Sequence, residues 1–222
     1  MVVDIKTETA RAKTFRLALA HPSPHLAGQH YVVRLTAPDG YTASRSYSIA
    51  SPPDGSNAID LTVERLEDGE VSTFLHDELV IGDELEVRGP IGGYFVWTGD
   101  TPALLVAGGS GIVPLMAMLR LARKTDRAHL LRLVVSVRSP EDLFYADELD
   151  GAETAVVYTR VTPMGYERAP GRLTAADIGP IASYATAYVC GSSGFADAAS
   201  HLLVDLGLPV ERIRVERFGP TA

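Results

Sequence analysis

The stretch "RSYSIAS", residues 45–51, sets a cation, an aromatic plane and a hydroxyl within four consecutive positions. Alternation puts Arg45, Tyr47 and Ile49 on one side of an extended chain and Ser46, Ser48 and Ala50 on the other, so the stretch reads as a β-strand. Strand propensity accounts for the tyrosine and the isoleucine. It gives no reason for the arginine.

A second group of residues lies in "VAGGSGIVP", residues 106–114, which follows an apolar strand and opens a helix. Glycines let the backbone approach a phosphate closely, and a helix N-terminus offers free N–H groups and a favourable dipole. The spacing is neither G-x-G-x-x-G nor the Walker pattern, and glycine turns also occur without ligands. The strand–turn–helix context favours a nucleotide phosphate site. Ser136 and Arg138 end the next strand, and Thr159 and Arg160 the one after. Ligands of open parallel sheets bind at those carboxyl ends. Hydroxyls and arginines there suit the extra 2′-phosphate of NADPH, and no acid ends the second strand to favour NADH. The alternative is that Arg138 pairs with Glu141 or Asp142. Cys190, in "CGSSGF", also stands at a strand end before a helix. A lone cysteine in an apolar strand fits a small core residue, whereas a nucleophile needs a base nearby in space.

The elements that position these residues change character near "WTGDTP", residues 97–102. Before it, short strands are expected at 2–8, 12–20, 29–36, 44–51, 58–65 and 83–89, with one helix near 71–80. That pattern suits an antiparallel barrel or sandwich. After it, strands "ALLVAG", "LLRLVVSV", "TAVVYT", "TAYVCG" and "IRVERF" alternate with helices in "VPLMAMLRLARK", "PEDLFYADEL" and "FADAASHLLVDLG", which means a parallel sheet. The expected domains are residues 1–99 and 100–222.

Composition narrows the function classes. The 222 residues carry a net charge of -8, which disfavours nucleic acid as a partner. Residues 1–100 hold 8 basic and 15 acidic side chains, and ten of those acids fall between Asp60 and Glu86. A solvated acidic face explains that run. Cys190 is the one cysteine, so neither an internal disulfide nor a four-thiolate iron–sulfur cluster is expected, and no metal site is. Residues 102–119 are uncharged, but the glycines and Pro114 interrupt them; a strand, a turn and a buried helix explain them better than a membrane span. The N-terminus does not read as a signal peptide, so the cytoplasm is the expected compartment.

Six stretches together resemble the ferredoxin–NADP reductase superfamily. "RSYSIAS" is similar to its R-x-Y-S-x-[AS]-[ST] flavin motif, "GEVSTFL" (69–75) to its G-x-x-S pyrophosphate motif, and "GPIGGYF" (89–95) to its G-P-x-G-x-F segment. "GGSGIVP" (108–114) resembles its G-G-x-G-x-x-P nucleotide turn, "CGSSGF" its C-G-x-x-x-[FM], and "ERF" (216–218) its acid–aromatic ending. They run in the family's order and cover nearly the whole chain. The resemblance implies an N-terminal antiparallel Greek-key β-barrel that binds flavin and a C-terminal α/β parallel-sheet domain that binds a nicotinamide nucleotide.

It also assigns roles. Arg45 binds the flavin's phosphate groups, Tyr47 stacks on the isoalloxazine and Ser48 hydrogen-bonds near N5, with Ile49 in the same motif. A cation for an anion, a π face for a flat ring and a hydroxyl for a ring nitrogen are physically apt. Gly69, Val71 and Ser72 serve the pyrophosphate, which favours FAD over FMN. Gly109, Gly111 and Pro114 shape the nucleotide diphosphate site. Cys190, Gly191 and Glu216 lie where nicotinamide C4 meets flavin N5, and Phe218 covers the ring in part, since Gly219-Pro220-Thr221-Ala222 follow it. Ser48, Cys190 and Glu216 are the expected catalytic residues. The implied activity is hydride transfer from NADPH, less readily NADH, to FAD, with electrons passed to a separate ferredoxin or redox enzyme. A free-flavin reductase and a non-catalytic flavin-binding subunit are the alternatives. An acidic partner is expected to dock near Arg120, Arg123, Lys124, Arg127 and Arg132, unless these are ordinary solvated helix-end residues.

Overall fold

Six strands fill the N-terminal part of the computed structural model, which describes residues 1–21 and 23–219. They are β1 (Val2–Thr9), β2 (Ala12–Ala18), β3 (His30–Thr36), β4 (Thr42–Ser48), β5 (Ala58–Glu64) and β6 (Glu86–Ile91), with helix α1 (Glu70–Asp77) between the last two. They form two antiparallel sheets, β1-β2-β5 and β4-β3-β6. An Ile49–Leu61 bridge joins the sheets along β4 and β5. Because β5 returns beside β2 after the β3–β4 hairpin, the connection is a Greek key. Phe15, Leu17, Val33, Ile49, Ile59 and Leu61 fill the interior, and their alternation along each strand is what turns these faces inward.

The C-terminal part holds β7 (Ala103–Gly108), α2 (Ile112–Lys124), β8 (Leu131–Val137), β9 (Thr154–Tyr158), α3 (Ala175–Ile178), β10 (Thr186–Ser192), α4 (Ser193–Asp205) and β11 (Ile213–Phe218). The sheet order is β11-β10-β7-β8-β9, and the pairings are parallel. Strand β7 is buried on both faces, as a central parallel strand must be. Ala103, Leu105 and Ala107 share a core with α2, while Leu104 and Val106 share one with α4. The α2 core also takes in Ala27, Ala50, Phe95 and Trp97 from the barrel side. No helix of the described residues is long and apolar enough to cross a membrane, and the uncharged stretch 102–119 is divided between β7, its turn and α2.

One expectation is corrected. The helix expected in "PEDLFYADEL" is absent; two 3₁₀ turns, Pro140–Asp142 and Ala146–Glu148, take its place. Tyr145 between them is left-handed at φ 57°, a conformation no helix interior holds. Its ring is buried and its hydroxyl donates to Thr62 Oγ1 of β5 at 2.5 Å, so tertiary anchoring overrides local propensity. The basic cluster carries internal partners, although Lys124 and Arg127 stay exposed. Arg120 pairs with Glu148, Arg123 with Glu153, Lys124 with Asp54 and Arg127 with Asp100, and Arg132 donates to the Ala152 carbonyl at 3.0 Å. These cations are engaged within the chain.

Candidate functional site

Strand β4 presents the first group. Arg45 is exposed, and its guanidinium donates to the neighbouring Ser44 carbonyl at 2.7 Å. It pairs with no carboxylate among the described residues. Two positions on, Tyr47 is half-buried, and burial pushes its phenol up to about 12, with the Arg45 charge pulling the other way. Ser48 is buried at the end of the strand and is the register partner of His30 on β3. Ile49 is fully buried and forms the bridge to β5, so it serves the barrel core.

Helix α1 supplies a second feature. Gly69 is its N-cap in extended conformation without a side-chain cap. The N–H groups of Glu70, Val71 and Ser72 therefore have no intrahelical acceptor and are free for an anion. Val71 is buried in the barrel core. The Ser72 hydroxyl is engaged inside the turn, donating to the Gly69 carbonyl at 3.1 Å and accepting from Leu66 N–H at 3.2 Å. It shapes the cradle rather than facing outward. A Cβ on Gly69 would lie 2.2 Å from that hydroxyl, so a side chain there would displace Ser72 from the turn.

The nucleotide turn runs from β7 through a 3₁₀ turn, Gly109–Gly111, into α2. Gly109 is left-handed at φ 54°, and a Cβ there would meet open space. That is room for a ligand against bare backbone. Gly111 is needed for packing instead, since its Cβ would fall 2.1 Å from the Cys190 carbonyl oxygen. Pro114 lies buried in the first turn of α2, where its missing N–H costs no helical bond. Gly108 and Gly191 both lie against the Phe195 ring, which fills the floor of the turn.

At the ends of β8 and β9, Ser136 is buried, Thr159 is half-buried, and Arg138 and Arg160 are exposed. Arg160 N–H donates to the Arg138 carbonyl at 2.9 Å, which sets the two arginines side by side. Neither forms an ion pair among the described residues. Arg138 thus does not pair with Glu141 or Asp142; Asp142 accepts from Ser139 at 2.9 Å instead.

Cys190 and Glu216 are register partners on β10 and β11. The thiol is fully buried, and desolvation, aided by the Glu216 charge, pushes its pKa well up. Burial thus favours the protonated thiol at Cys190. Glu216 is half-buried, and its Oε2 has no hydrogen-bond partner among the described residues. Burial pushes its carboxyl up to about 7. Phe218, two residues on, is half-buried against the α2 core. Residues 220–222 of the tail lie outside the described residues.

Barrel and sheet meet at a cleft of about 170 Å³, lined by Gly28, His30, Gly92 and Tyr94 on one side and Glu216 on the other. Arg214 holds the barrel side in place by donating to the carbonyls of Tyr94 and Val96 at 2.9 and 3.0 Å. Sequence reasoning missed His30, Tyr94 and Arg214, because they meet only across the junction. The "GPIGGYF" motif around Tyr94 was the available signal. Burial keeps the His30 imidazole below its ordinary pKa. The residues fit a flavin and a nucleotide: the barrel carries a cation without a carboxylate partner and a helix end without a side-chain cap, the sheet carries an open glycine turn, and a carboxyl oxygen lacking a donor lies at the cleft between them.

Comparisons with known proteins agree with this arrangement. Residues 1–96 match the family described as oxidoreductase FAD-binding domain, and residues 105–201 match the oxidoreductase NAD-binding domain. Ferredoxin–NADP reductase B of Sorangium cellulosum is 33% identical over 220 residues, covering 86% of this chain and 84% of that protein. The glycine betaine monooxygenase reductase subunit of Pseudomonas aeruginosa is 32% identical over 197 residues, covering 82% of this chain and 53% of that protein. Its counterpart in Chromohalobacter salexigens is 42% identical over 115 residues, covering 50% and 31%. The chain thus spans about half the length, or less, of these two reductase subunits. The FAD/NAD-binding domain of a nitric oxide dioxygenase from Vibrio cholerae has the same fold, with a TM-score of 0.88 at 24% identity, covering 99% and 98% of the two chains. Matched along both halves, and by a relative nearly its own length, this chain belongs to the ferredoxin reductase-like family of oxidoreductases, with an FAD-binding and an NAD-binding domain.

Proposed function

We propose that this chain is a flavoprotein reductase that takes hydride from NADPH, or less readily NADH, onto bound FAD and passes electrons to a separate redox protein. One observation carries the reading. His30, the register partner of Ser48, and Glu216, the register partner of Cys190, line the same cleft. This supports a convergence of the expected flavin strand and nucleotide strand of the kind hydride transfer requires. Residues 1–99 would form the flavin-binding unit and residues 100–222 the nucleotide-binding unit.

Bound FAD supplies the conversion between a two-electron donor and one-electron acceptors. The protein's own groups bind and orient. Arg45 and the free N–H groups at the start of α1 hold the diphosphate, Tyr47 covers the ring, and Ser48 supplies a hydroxyl beside it. Gly109 and the start of α2 hold the nucleotide diphosphate. Ser136, Thr159, Arg138 and Arg160 surround the 2′-phosphate position, which is why NADPH is favoured. Glu216 holds or releases a proton on Oε2 near neutral pH, while Cys190, Gly191 and Phe218 pack the junction and exclude water.

The relatives named as reductase subunits of a monooxygenase point to an oxygenase component as the class of acceptor, and the cytoplasm is the proposed compartment. The test is steady-state oxidation of NADPH and NADH by the FAD-loaded protein with an artificial one-electron acceptor. Turnover with either nucleotide, and a higher kcat/KM for NADPH, is expected. Binding of FAD without turnover would overturn the catalytic reading.

A further inference from the structure

We infer that Arg120 is a positioning residue for hydride transfer, pinning the nucleotide helix α2 onto the end of the flavin strand. The inference rests on the function proposed above. Arg120 lies two turns past the glycine turn along α2, roughly 12 Å from Ile112 at 1.5 Å per residue. Its guanidinium donates to the Ala50 carbonyl at 2.8 Å. Ala50 is two residues beyond Ser48, and it sits in the core shared with α2. One rigid helix thus has its N-terminus at the nucleotide turn and its side fastened to the strand that bears Tyr47 and Ser48.

The other faces of the guanidinium are fixed as well. Nε and Nη2 donate to the two carboxylate oxygens of Glu148 at 2.9 and 2.5 Å, a bidentate pair with little freedom. The guanidinium carbon lies 4.8 Å from the centre of the Tyr145 ring. Arg123 holds the Glu148 carbonyl at 2.8 Å. Tyr145 in turn donates to Thr62 Oγ1, which contacts Thr14 Oγ1 at 2.7 Å, and Thr14 donates to Glu8 at 2.8 Å. This chain of bonds ties the turn carrying Glu148 back to the barrel. The left-handed Tyr145 that breaks the expected helix is what allows the ring to lie beneath Arg120. Arg120 and Glu148 also line a polar cavity, together with Asp4, Lys6, Glu8, Thr14, Arg16 and Asp60.

A partly buried ion pair contributes only modestly to stability. A guanidinium held on two sides by Glu148 while its third nitrogen bonds Ala50 on the barrel side fixes geometry instead. Reacting atoms misplaced by about 1 Å lose on the order of 100-fold in rate. Arg120 touches neither expected ligand and acts through the backbone at Ala50.

The test uses the full chain with Arg120→Ala, Arg120→Lys and Glu148→Gln, the last keeping the shape of the pair. For FAD-loaded protein, the rate constant of flavin reduction at saturating NADPH is expected to fall at least tenfold in Arg120→Ala. Bound FAD per chain and the nucleotide dissociation constant should stay within about twofold. Glu148→Gln should move the rate in the same direction and Arg120→Lys should recover part of it. If Arg120→Ala does not fold, the other two variants carry the comparison. An unchanged reduction rate per bound FAD, or a loss confined to thermal stability, overturns the inference. Backbone hydrogen exchange at Ile49 and Ala50 is a readout independent of any cofactor. Exchange at least tenfold faster in the variants supports the clamp even if the protein proves not to reduce flavin, and unchanged exchange overturns it.

Discussion

Arg45 reaches only the carbonyl of Ser44, so its charge is available to an incoming phosphate. A charge-assisted hydrogen bond contributes about 1.5–3 kcal/mol. Arg45→Ala should therefore weaken FAD binding by about 10- to 100-fold, read by quenching of flavin fluorescence on titration. Unaltered affinity would remove Arg45 from the site. Glu216 makes a second case. Its folded-state pKa of about 7 lies above the usual 4.5, so between those values the native state keeps a proton that the unfolded chain has lost. Stability from this group is present below about pH 4.5 and declines as pH rises toward 7, by up to about 3 kcal/mol. Glu216→Gln should be no less stable than the parent at pH 5 and more stable at pH 8 in urea unfolding. An identical pH dependence in both proteins would show that the carboxyl is not perturbed.

At the scale of elements, the turn between β7 and α2 depends on two glycines for different reasons. Gly109 needs its left-handed backbone, whereas Gly111 needs its missing Cβ against the Cys190 carbonyl. Gly111→Ala should destabilise the chain by about 1–3 kcal/mol, the range for overpacking, and weaken nucleotide binding as α2 shifts. Thermal unfolding and titration with NADP⁺ check both. The ends of β8 and β9 give the specificity prediction. Replacing Arg138 and Arg160 by Ala together should lower kcat/KM for NADPH at least tenfold and change NADH by less than about threefold, since each lost ionic hydrogen bond to the 2′-phosphate contributes about 1.5–3 kcal/mol. Equal losses with both nucleotides would place the arginines elsewhere than at the 2′-phosphate.

These elements also show what the sequence made legible. The strands carrying Arg45 and Cys190 are legible by alternation and by apolar runs ending in glycine, and the glycine turn by its place between a strand and a helix; the separate needs of Gly109 and Gly111 show only in φ and close approach. The segment 140–149 has helical spacing, yet Tyr145 leaves the helical region because its hydroxyl finds Thr62 in the barrel. That bond spans 83 residues of sequence, and no local window registers it. Arg120 and Arg123 read as a basic patch for the same reason: their partners Glu148 and Glu153 lie in a segment whose path depends on that anchor. His30 carries no motif of its own and gains meaning only beside Glu216, whereas Tyr94 lies inside "GPIGGYF", a motif that does not by itself mark it as a lining residue.

The whole molecule joins two sheets of opposite design, an antiparallel barrel and a parallel five-stranded sheet, through a common core around Ala50, Phe95 and Trp97. Tyr188 donates to the Val96 carbonyl at 2.7 Å and Arg214 to the same oxygen, so the connection after β6 is held rigidly against the sheet. The cations of α2 are occupied within the chain, and the barrel side carries the excess of acid. An acceptor protein that docks on the barrel side therefore meets a negative field and is favoured by a basic or neutral face. The proposed reaction requires flavin and nucleotide to converge at the cleft between His30 and Glu216. The most direct measurement is the visible spectrum of the FAD-loaded protein, recorded without oxygen before and after one equivalent of NADPH. Rapid loss of the flavin absorbance is the predicted result; a protein that keeps its flavin and its yellow colour with both NADPH and NADH would contradict the account.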